Sequence, residues 1–241
     1  FDNLTHIEDF INVKSWLDTN LLINLLSVIH FRIFKVNSMN LAIWLERTAL
    51  KHPNREALFL GSECIGTYKD FWLAVCALRV HLEKEGIKRG DRVAVYMVNC
   101  PEFLVAFYAI WSMGAVIVPI NSKLHMREVI WILDNAECWY VLGDAVLSSE
   151  ISLPNITIFT PKWDDLSKNA QAEPVSCSFN DLAWLFYTSG TTGKPKGVMI
   201  THGMIKTMAL SYFADVDQVY PSDTTLYAAP MSHGAGLYSI M

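Results

Sequence analysis

The sequence predicts an α/β fold with a mostly parallel sheet. Apolar runs of strand length alternate with segments in which apolar residues recur every three or four positions. This alternation is typical of parallel strands joined by crossover helices. Hydrophobic residues make up 52% of the 241 residues and charged residues 18%, which is enough apolar side chain for a substantial core.

The sequence from Met39 to residue 142 predicts a regular succession of helices and strands. Pro101 suits the first turn of a helix and Glu102 complements its dipole, and the helix that follows is apolar nearly all round and therefore buried. From Met39 onward the predicted elements are a helix from Leu41 to His52, strands over 57–60 and 64–67, a helix over 71–82, a strand over 93–98, a helix over 103–111, a strand over 115–119, a helix over 127–133 and a strand over 139–142.

A polar, irregular stretch over 160–181 is predicted to be a surface connection between two units. Strands over 182–187 and 198–201 follow, then a helix over 203–212 and a strand over 224–229. We therefore expect a first α/β unit over about 39–180 and the start of a second over 181–241.

Residues 1–38 differ in composition from the rest of the chain. They contain no glycine, proline or alanine, whereas all 12 glycines and all 9 prolines lie after Met39. We expect this stretch to be a non-native leader or extension; an unusually apolar N-terminal helix is the alternative. The apolar run from Leu21 to Phe34 is about 14 residues long. Because roughly 20 residues are needed to cross a bilayer, no integral membrane segment is predicted.

The charge argues against a nucleic-acid-binding protein, and the cysteine content argues against a zinc-binding or disulfide-rich one. The net charge is −5 and the basic residues form no stripe, so nucleic acid is not an expected partner. The cysteines are odd in number and lack zinc-like spacing, so we expect reduced, mostly buried thiols in a cytoplasmic protein. These cysteines are Cys64, Cys76, Cys100, Cys138 and Cys177.

The segment from Thr188 to Gly197 carries the chemistry. It reads Thr-Ser-Gly-Thr-Thr-Gly-Lys-Pro-Lys-Gly. Its glycines permit backbone angles and close approaches that a side chain would block, so consecutive amides can point inward and bind an anion. Its hydroxyls are further donors, and Lys194 and Lys196 add positive charge. The segment therefore predicts a loop that binds a polyanion such as a triphosphate.

Two familiar phosphate loops are excluded, because Pro195 stands where the Walker pattern needs a hydroxyl residue and the three spaced glycines of the dinucleotide pattern are absent. A flexible linker is disfavoured, since apolar runs flank the loop on both sides. These runs predict that the loop joins one strand to another, whereas a Walker loop leads from a strand into a helix.

The segment, with Val198 and the pair Thr201-His202, resembles the signature of the adenylate-forming superfamily. That family includes acyl-CoA synthetases, adenylation domains of peptide synthetases, and luciferases. Weaker similarity at 90–93, 114–121 and 230–234 extends the resemblance over most of 39–241. It implies the layered α/β/α sheets of the N-terminal domain of adenylate-forming enzymes, here truncated.

The resemblance implies ATP-dependent activation of a carboxylic acid through an acyl-adenylate, with Mg2+, and transfer of the acyl group to coenzyme A. Met231, His233 and Gly234 would bind the carboxylate, and His233 would lie near the reacting group. Thr188 would be a ligand of Mg2+, and His202 would open the next helix in a structural role. The residues implied to bind ATP are Thr188, Ser189, Gly190, Thr191, Thr192, Gly193, Lys194 and Lys196.

The resemblance is strongest to bacterial acyl-CoA synthetases. Gly234-Ala235-Gly236-Leu237 follows His233 where an amino-acid adenylation domain carries an aspartate, so an apolar acyl or aryl carboxylic acid is the expected substrate. A peptide-synthetase adenylation domain, another phosphotransfer enzyme with a convergent loop, and a non-catalytic nucleotide-binding module are the alternatives. The family's later motifs would follow Met241, so we expect an N-terminal fragment that is inactive alone.

Overall fold

The computed structural model describes residues 38–151, 153–166, 170–188 and 194–238. The predicted leader over 1–38 lies outside the described residues except for Ser38, and so does the apolar run from Leu21 to Phe34. Within the described ranges, no helix combines the length and the apolar character needed to cross a membrane. Residues from Met39 onward form one compact unit.

The elements alternate largely as the sequence predicts. In chain order they are α1 (Ala42–Lys51), β1 (Glu56–Leu60), β2 (Glu63–Thr67), α2 (Tyr68–Lys84), β3 (Arg92–Tyr96), α3 (Pro101–Ser112), β4 (Val116–Pro119), α4 (Met126–Asn135), β5 (Tyr140–Gly143), α5 (Ala145–Ser148), β6 (Thr157–Phe159), a 3-10 turn (Trp163–Asp165), β7 (Leu182–Thr188), β8 (Lys196–Thr201), α6 (His202–Asp215) and α7 (Gly234–Tyr238).

Within the described part of the chain, six strands form the main sheet in the order β6-β5-β3-β4-β7-β8, and β1 pairs with β2 in a separate hairpin. Neighbouring strands from β6 to β7 are parallel, whereas β8 is antiparallel to β7. Both β7 and β8 therefore extend the sheet that β3 and β4 begin. The division of the chain near residue 180 remains a prediction.

Helices cover both faces of this sheet, which confirms the layered α/β/α architecture. Because side chains alternate along a strand, Val93 and Val95 of β3 join the core cluster that contains α2 and α3. Their neighbours Ala94 and Tyr96 join a second cluster with α4. Burial on both faces accounts for the continuous apolar runs in the parallel strands.

Local sequence sets the ends of these helices. Thr67 and Asp70 form a capping box at the start of α2, and His125 and Glu128 form the equivalent pair at α4. Pro101 occupies the first turn of α3, as predicted. Every residue of α3 from Phe103 to Ser112 is buried, so the prediction of a fully enclosed helix is confirmed.

Two predictions in the later part of the chain need correction. Residues 224–229 are not a strand but irregular backbone, because a side chain rather than a neighbouring strand binds two of their carbonyl oxygens. The stretch over 160–181 is irregular but not merely superficial. Leu166 and Cys177 are buried, and the Val175 amide donates to the carbonyl of Ser112 at 2.8 Å.

Candidate functional site

Three strands end at one edge of the sheet, where polar residues follow them. Asn99 comes shortly after β3, Asn121 shortly after β4, and Thr188 ends β7. The register pairs Ile117 with Trp184, so Asn121 and Thr188 both lie four residues further toward this edge. The carboxyl ends of parallel strands are the usual place for a ligand site in an open α/β sheet.

The predicted phosphate loop connects β7 to β8 at this edge. The two strands are antiparallel neighbours, and Thr188 pairs with Lys196 at the base of the loop. The prediction that the loop runs from strand to strand is therefore confirmed. Ser189, Gly190, Thr191, Thr192 and Gly193 lie outside the described residues, so their predicted contacts with phosphate remain predictions.

Helix α4 contacts the chain at the end of the loop. The Trp131 indole N–H donates to the carbonyl oxygen of Pro195 at 3.2 Å. The ammonium nitrogen of Lys194 lies 4.1 Å from the centroid of the same ring, which is within the range of a cation–π interaction. One partly buried side chain therefore contacts two consecutive residues after the loop.

The strand before the loop is attached to the same helix. The hydroxyl group of Tyr187 donates to Oδ1 of Asn135 at 2.7 Å. Across the strand pair, Tyr187 faces Gly197, and a Cβ atom on Gly197 would come within 3.0 Å of the tyrosine ring. The ring thus lies directly over the glycine, which explains why a residue without a side chain stands there.

Asn99 organises the segment that leads to the predicted substrate motif. Its amide nitrogen donates to the carbonyl oxygens of Tyr227 at 2.9 Å and Ala229 at 2.8 Å. Its amide oxygen accepts from the backbone N–H of Met231 at 2.8 Å. These contacts use both amide hydrogens and one lone pair of a single side chain, and they take the place of strand pairing in this segment.

The predicted carboxylate motif lies beside Asn121. The Asn121 amide nitrogen is 2.6 Å from Nε2 of His233. Because an amide nitrogen can only donate, Nε2 is the acceptor in this contact. The Asn121 oxygen accepts from the Lys123 N–H at 2.9 Å, which orients the amide. Met231 is buried, while His233 is exposed.

A close backbone approach holds α7 against this motif. Gly236 is buried, and a Cβ atom there would lie 2.3 Å from the carbonyl oxygen of Pro230 and 2.7 Å from Cα of Met231. Both neighbours are backbone atoms, so they cannot move aside as a flexible side chain could. Only glycine permits this packing, which fixes the turn containing His233 and Gly234.

His202 is the first residue of α6, as predicted, and it is fully buried. Its Nδ1 accepts weakly from the Leu41 N–H at 3.5 Å. Its Nε2 has no hydrogen-bond partner among the described residues. Burial lowers the pKa of His202 to about 4, with a smaller opposing effect from Asp181 and a reinforcing one from Arg89. The side chain is therefore neutral near pH 7, and its structural role remains a prediction.

The thiols offer no strong nucleophile at the four positions with shifted pKa values. Burial is the largest cause in each case: it raises the pKa of Cys76, takes those of Cys100 and Cys138 to about 12, and takes that of Cys177 to about 11. Thiolate rather than thiol is the nucleophilic form. The expectation of mostly buried thiols is confirmed, since Cys76, Cys138 and Cys177 are buried.

Thr188 is the predicted ligand of Mg2+ at this edge of the sheet. In the described ranges, no group of three or more His, Cys, Asp or Glu residues could hold a metal ion. Thr188 is exposed at the end of β7 and offers one hydroxyl ligand. Mg2+ is commonly held by few protein ligands together with substrate phosphates and water, so this edge fits a cation that arrives with a nucleotide.

Sequence reasoning missed the side chains that hold the motifs in place. Asn99, Asn121 and Trp131 are not in the predicted phosphate loop or in the substrate motif. The available signals were that polar residues come shortly after two buried parallel strands and that Asn121 ends the family-like stretch over 114–121. No signal in the sequence marked Trp131, because an aromatic residue on an amphipathic helix is usually part of the core.

The fold and the site together define an α/β protein with a strand-to-strand loop and a histidine-containing motif at the carboxyl edge of one sheet. The model of the family described as "AMP-binding enzyme" matches residues 45–241. The chain belongs to this family, and the resemblance to adenylate-forming enzymes is confirmed.

Two of the chain's relatives are named as CoA ligases. A 2-succinylbenzoate–CoA ligase of Bacillus thuringiensis is 31% identical over 198 residues, which are 82% of this chain and 40% of the relative. A long-chain-fatty-acid–CoA ligase of Mycobacterium tuberculosis is 36% identical over 168 residues, which are 65% of this chain and 33% of the relative. The chain thus spans two fifths or less of the length of these relatives.

A solved structure supports the fold independently. The inhibitor-bound N-terminal domain of FACL13 from Mycobacterium tuberculosis matches with a TM-score of 0.72 and 30% identity. The match covers 85% of this chain and 54% of that chain. The chain therefore has the fold of the N-terminal domain of an adenylate-forming enzyme.

Proposed function

We propose that the protein activates a carboxylic acid with ATP and transfers the acyl group to coenzyme A. The observation that carries the proposal is the position of the β7–β8 loop. Its base at Thr188 and the Asn121–His233 pair lie at the same edge of one sheet. A polyphosphate on the loop and a carboxylate beside His233 would therefore be neighbours.

In the first step, a carboxylate oxygen attacks the α-phosphorus of ATP, and the bond from that phosphorus to the bridging oxygen of pyrophosphate breaks. The products are an acyl-adenylate and pyrophosphate. The substrate itself is the nucleophile, so the protein has to position the two reactants and to offset phosphate charge. Ser189 to Gly193 would donate backbone N–H groups to the phosphates, and Lys194 and Lys196 would add positive charge.

In the second step, the thiol sulfur of coenzyme A attacks the acyl carbon. AMP leaves, and the thiol proton passes to solvent. Met231, His233 and Gly234 would contact the carboxylate substrate in both steps. Thr188 would bind Mg2+ together with phosphate oxygens, and the ion would offset the negative charge of the phosphates when bound.

The substrate is proposed to be a carboxylic acid with an apolar acyl or aryl body. The names of the relatives support this class, since they specify 2-succinylbenzoate and long-chain fatty acids. Reduced thiols favour the cytoplasm as the compartment.

Exchange of labelled pyrophosphate into ATP tests the proposal in the complete protein. Aryl acids, fatty acids of several lengths and amino acids are supplied in turn. We expect exchange that depends on an aryl or fatty acid, followed by thioester formation when coenzyme A is added. Exchange with amino acids alone would assign the protein to amino-acid adenylation instead. Nucleotide binding without any exchange would identify a non-catalytic module.

A further inference from the structure

The chain that follows the phosphate loop is attached to helix α4 through one aromatic side chain. The Trp131 indole N–H donates to the Pro195 carbonyl at 3.2 Å, and the Lys194 ammonium lies 4.1 Å from the ring centroid. Two contacts of different chemistry therefore converge on consecutive residues. The hydrogen bond fixes the backbone at Pro195, and the cation–π contact restricts the side chain of Lys194.

The packing and capping of α4 fix the position of Trp131. Val129, Ile132 and Leu133 of α4 are buried in the second core cluster, and Trp131 packs against that cluster. The capping box of His125 and Glu128 fixes the start of the helix. A ring on such a helix has little freedom, so it can restrict a flexible lysine.

We propose that Trp131 is a positioning residue that holds Lys194 ready for a polyphosphate. The inference rests on the proposed function, in which the loop binds ATP. A free lysine side chain loses rotational entropy when a ligand orders it. Contact with the ring removes part of that freedom beforehand, which leaves less to lose on binding.

An aromatic partner suits this role better than an acidic one. A carboxylate would restrict the lysine but would also neutralise it and compete with phosphate. The indole ring attracts the ammonium through its quadrupole and carries no net charge, so the full positive charge remains for the ligand. Among the described residues, no ion pair is found for Lys194.

Lys196 provides an internal comparison. It is also exposed, but it lies on β8 opposite Thr188, and the cation–π contact with Trp131 belongs to Lys194. Trp131 should therefore act through Lys194 and not through Lys196. This difference separates a positioning role from a general effect on the stability of the fold.

Binding of ATP and of pyrophosphate with Mg2+, measured by calorimetry on the complete protein, tests the inference. Trp131→Leu removes both contacts and is expected to weaken binding about tenfold, whereas Trp131→Phe keeps a ring and weakens it only about threefold. Trp72→Phe is the matched control, since Trp72 is a partly buried tryptophan on the first cluster, and it should leave affinity unchanged. Thermal unfolding of each variant shows whether the protein folds.

A double-mutant cycle gives the sharper outcome. In a Lys194→Met background, Trp131→Leu should cost no more than about threefold in affinity, because only the hydrogen bond to Pro195 is left to lose. In a Lys196→Met background, the full tenfold loss should persist. Equal losses in both backgrounds would show a merely structural role and overturn the inference. So would a Trp131→Leu protein that binds ATP as tightly as wild type.

The geometry can also be checked without a ligand. The hydrogen bond to Pro195 predicts a slowly exchanging indole N–H for Trp131 in NMR spectra, assigned by its loss in Trp131→Phe. An indole N–H that exchanges as fast as a solvent-exposed one contradicts the contact. Wild-type protein that binds neither ATP nor pyrophosphate would overturn the proposed function and the inference with it. Wild-type binding with no effect at Trp131 overturns the inference alone.

Discussion

The side-chain amide nitrogen of Asn121 lies 2.6 Å from Nε2 of His233, although the two residues are 112 positions apart in sequence. Strand β4 delivers the asparagine to the carboxyl edge of the sheet, and the segment after α6 delivers the histidine to the same place. The contact assigns the ring nitrogen that faces the asparagine as an acceptor. It also makes the orientation of His233 depend on a residue outside its own motif.

Asn121→Ala is expected to lower kcat/KM for the carboxylic acid about tenfold, because it removes a hydrogen bond that orients His233. The KM for ATP should change less than about twofold, since Thr188 and the lysines are untouched. Steady-state kinetics with each substrate varied in turn measures both values. Asn54→Ala, at an exposed turn, is the control. An unchanged kcat/KM in Asn121→Ala would show that His233 needs no such partner.

Asn99→Ala is expected to loosen the segment over 227–231, because that segment loses the three hydrogen bonds that the Asn99 side chain makes with its backbone. The free energy of unfolding should fall by about 1 kcal/mol, a modest value for exposed hydrogen bonds, while KM for the carboxylic acid rises. Urea unfolding and kinetics measure the two effects. Asn99→Asp keeps the acceptor for the Met231 N–H but faces two carbonyl oxygens with a carboxylate, so it should be no better than alanine. A fully active Asn99→Asp protein contradicts this account.

Gly236→Ala is expected to push α7 away from Pro230 and Met231, because the added carbon would meet backbone atoms at 2.3 Å and 2.7 Å. Overpacking of this kind costs about 1–3 kcal/mol of stability. The displacement should also weaken carboxylate binding more than ATP binding, since His233 lies in the displaced turn. Thermal unfolding and the two KM values test this. A Gly236→Ala protein whose unfolding temperature and two KM values equal those of the wild type would exclude the close approach.

Folding stability is expected to fall as pH drops from 6.5 to about 4, because burial lowers the pKa of His202 from 6.5 to about 4 in the folded chain. In this window the unfolded chain binds a proton that the folded chain does not, so acid favours unfolding. The full effect is about 3 kcal/mol. Urea unfolding across this range should show a smaller pH slope in His202→Asn, whose side-chain oxygen can still accept from Leu41. A pH slope identical to that of the wild type would show that a group other than His202 titrates in this range.

Much of the fold follows from local pattern. The capping residues at α2, Pro101 at α3 and the continuous apolar runs of β3 and β4 specify elements through neighbours in sequence, so the succession of strands and helices could be predicted. Residues 224–229 could not, because their apolar pattern favours a strand. In the folded chain the Asn99 side chain binds two of their carbonyl oxygens, a contact that no local pattern shows.

By itself, the sequence determined the α/β class, the strand-to-strand loop with its glycines, hydroxyls and lysines, and the family to which the chain belongs. These properties depend on residue types at short spacing, which a linear pattern records directly. The tertiary structure decided which side chains hold those motifs: Asn121 against His233, Asn99 against Met231, and Trp131 against Lys194. Parallel strands with crossover helices bring such pairs together from distant parts of the chain, so no local pattern marks them.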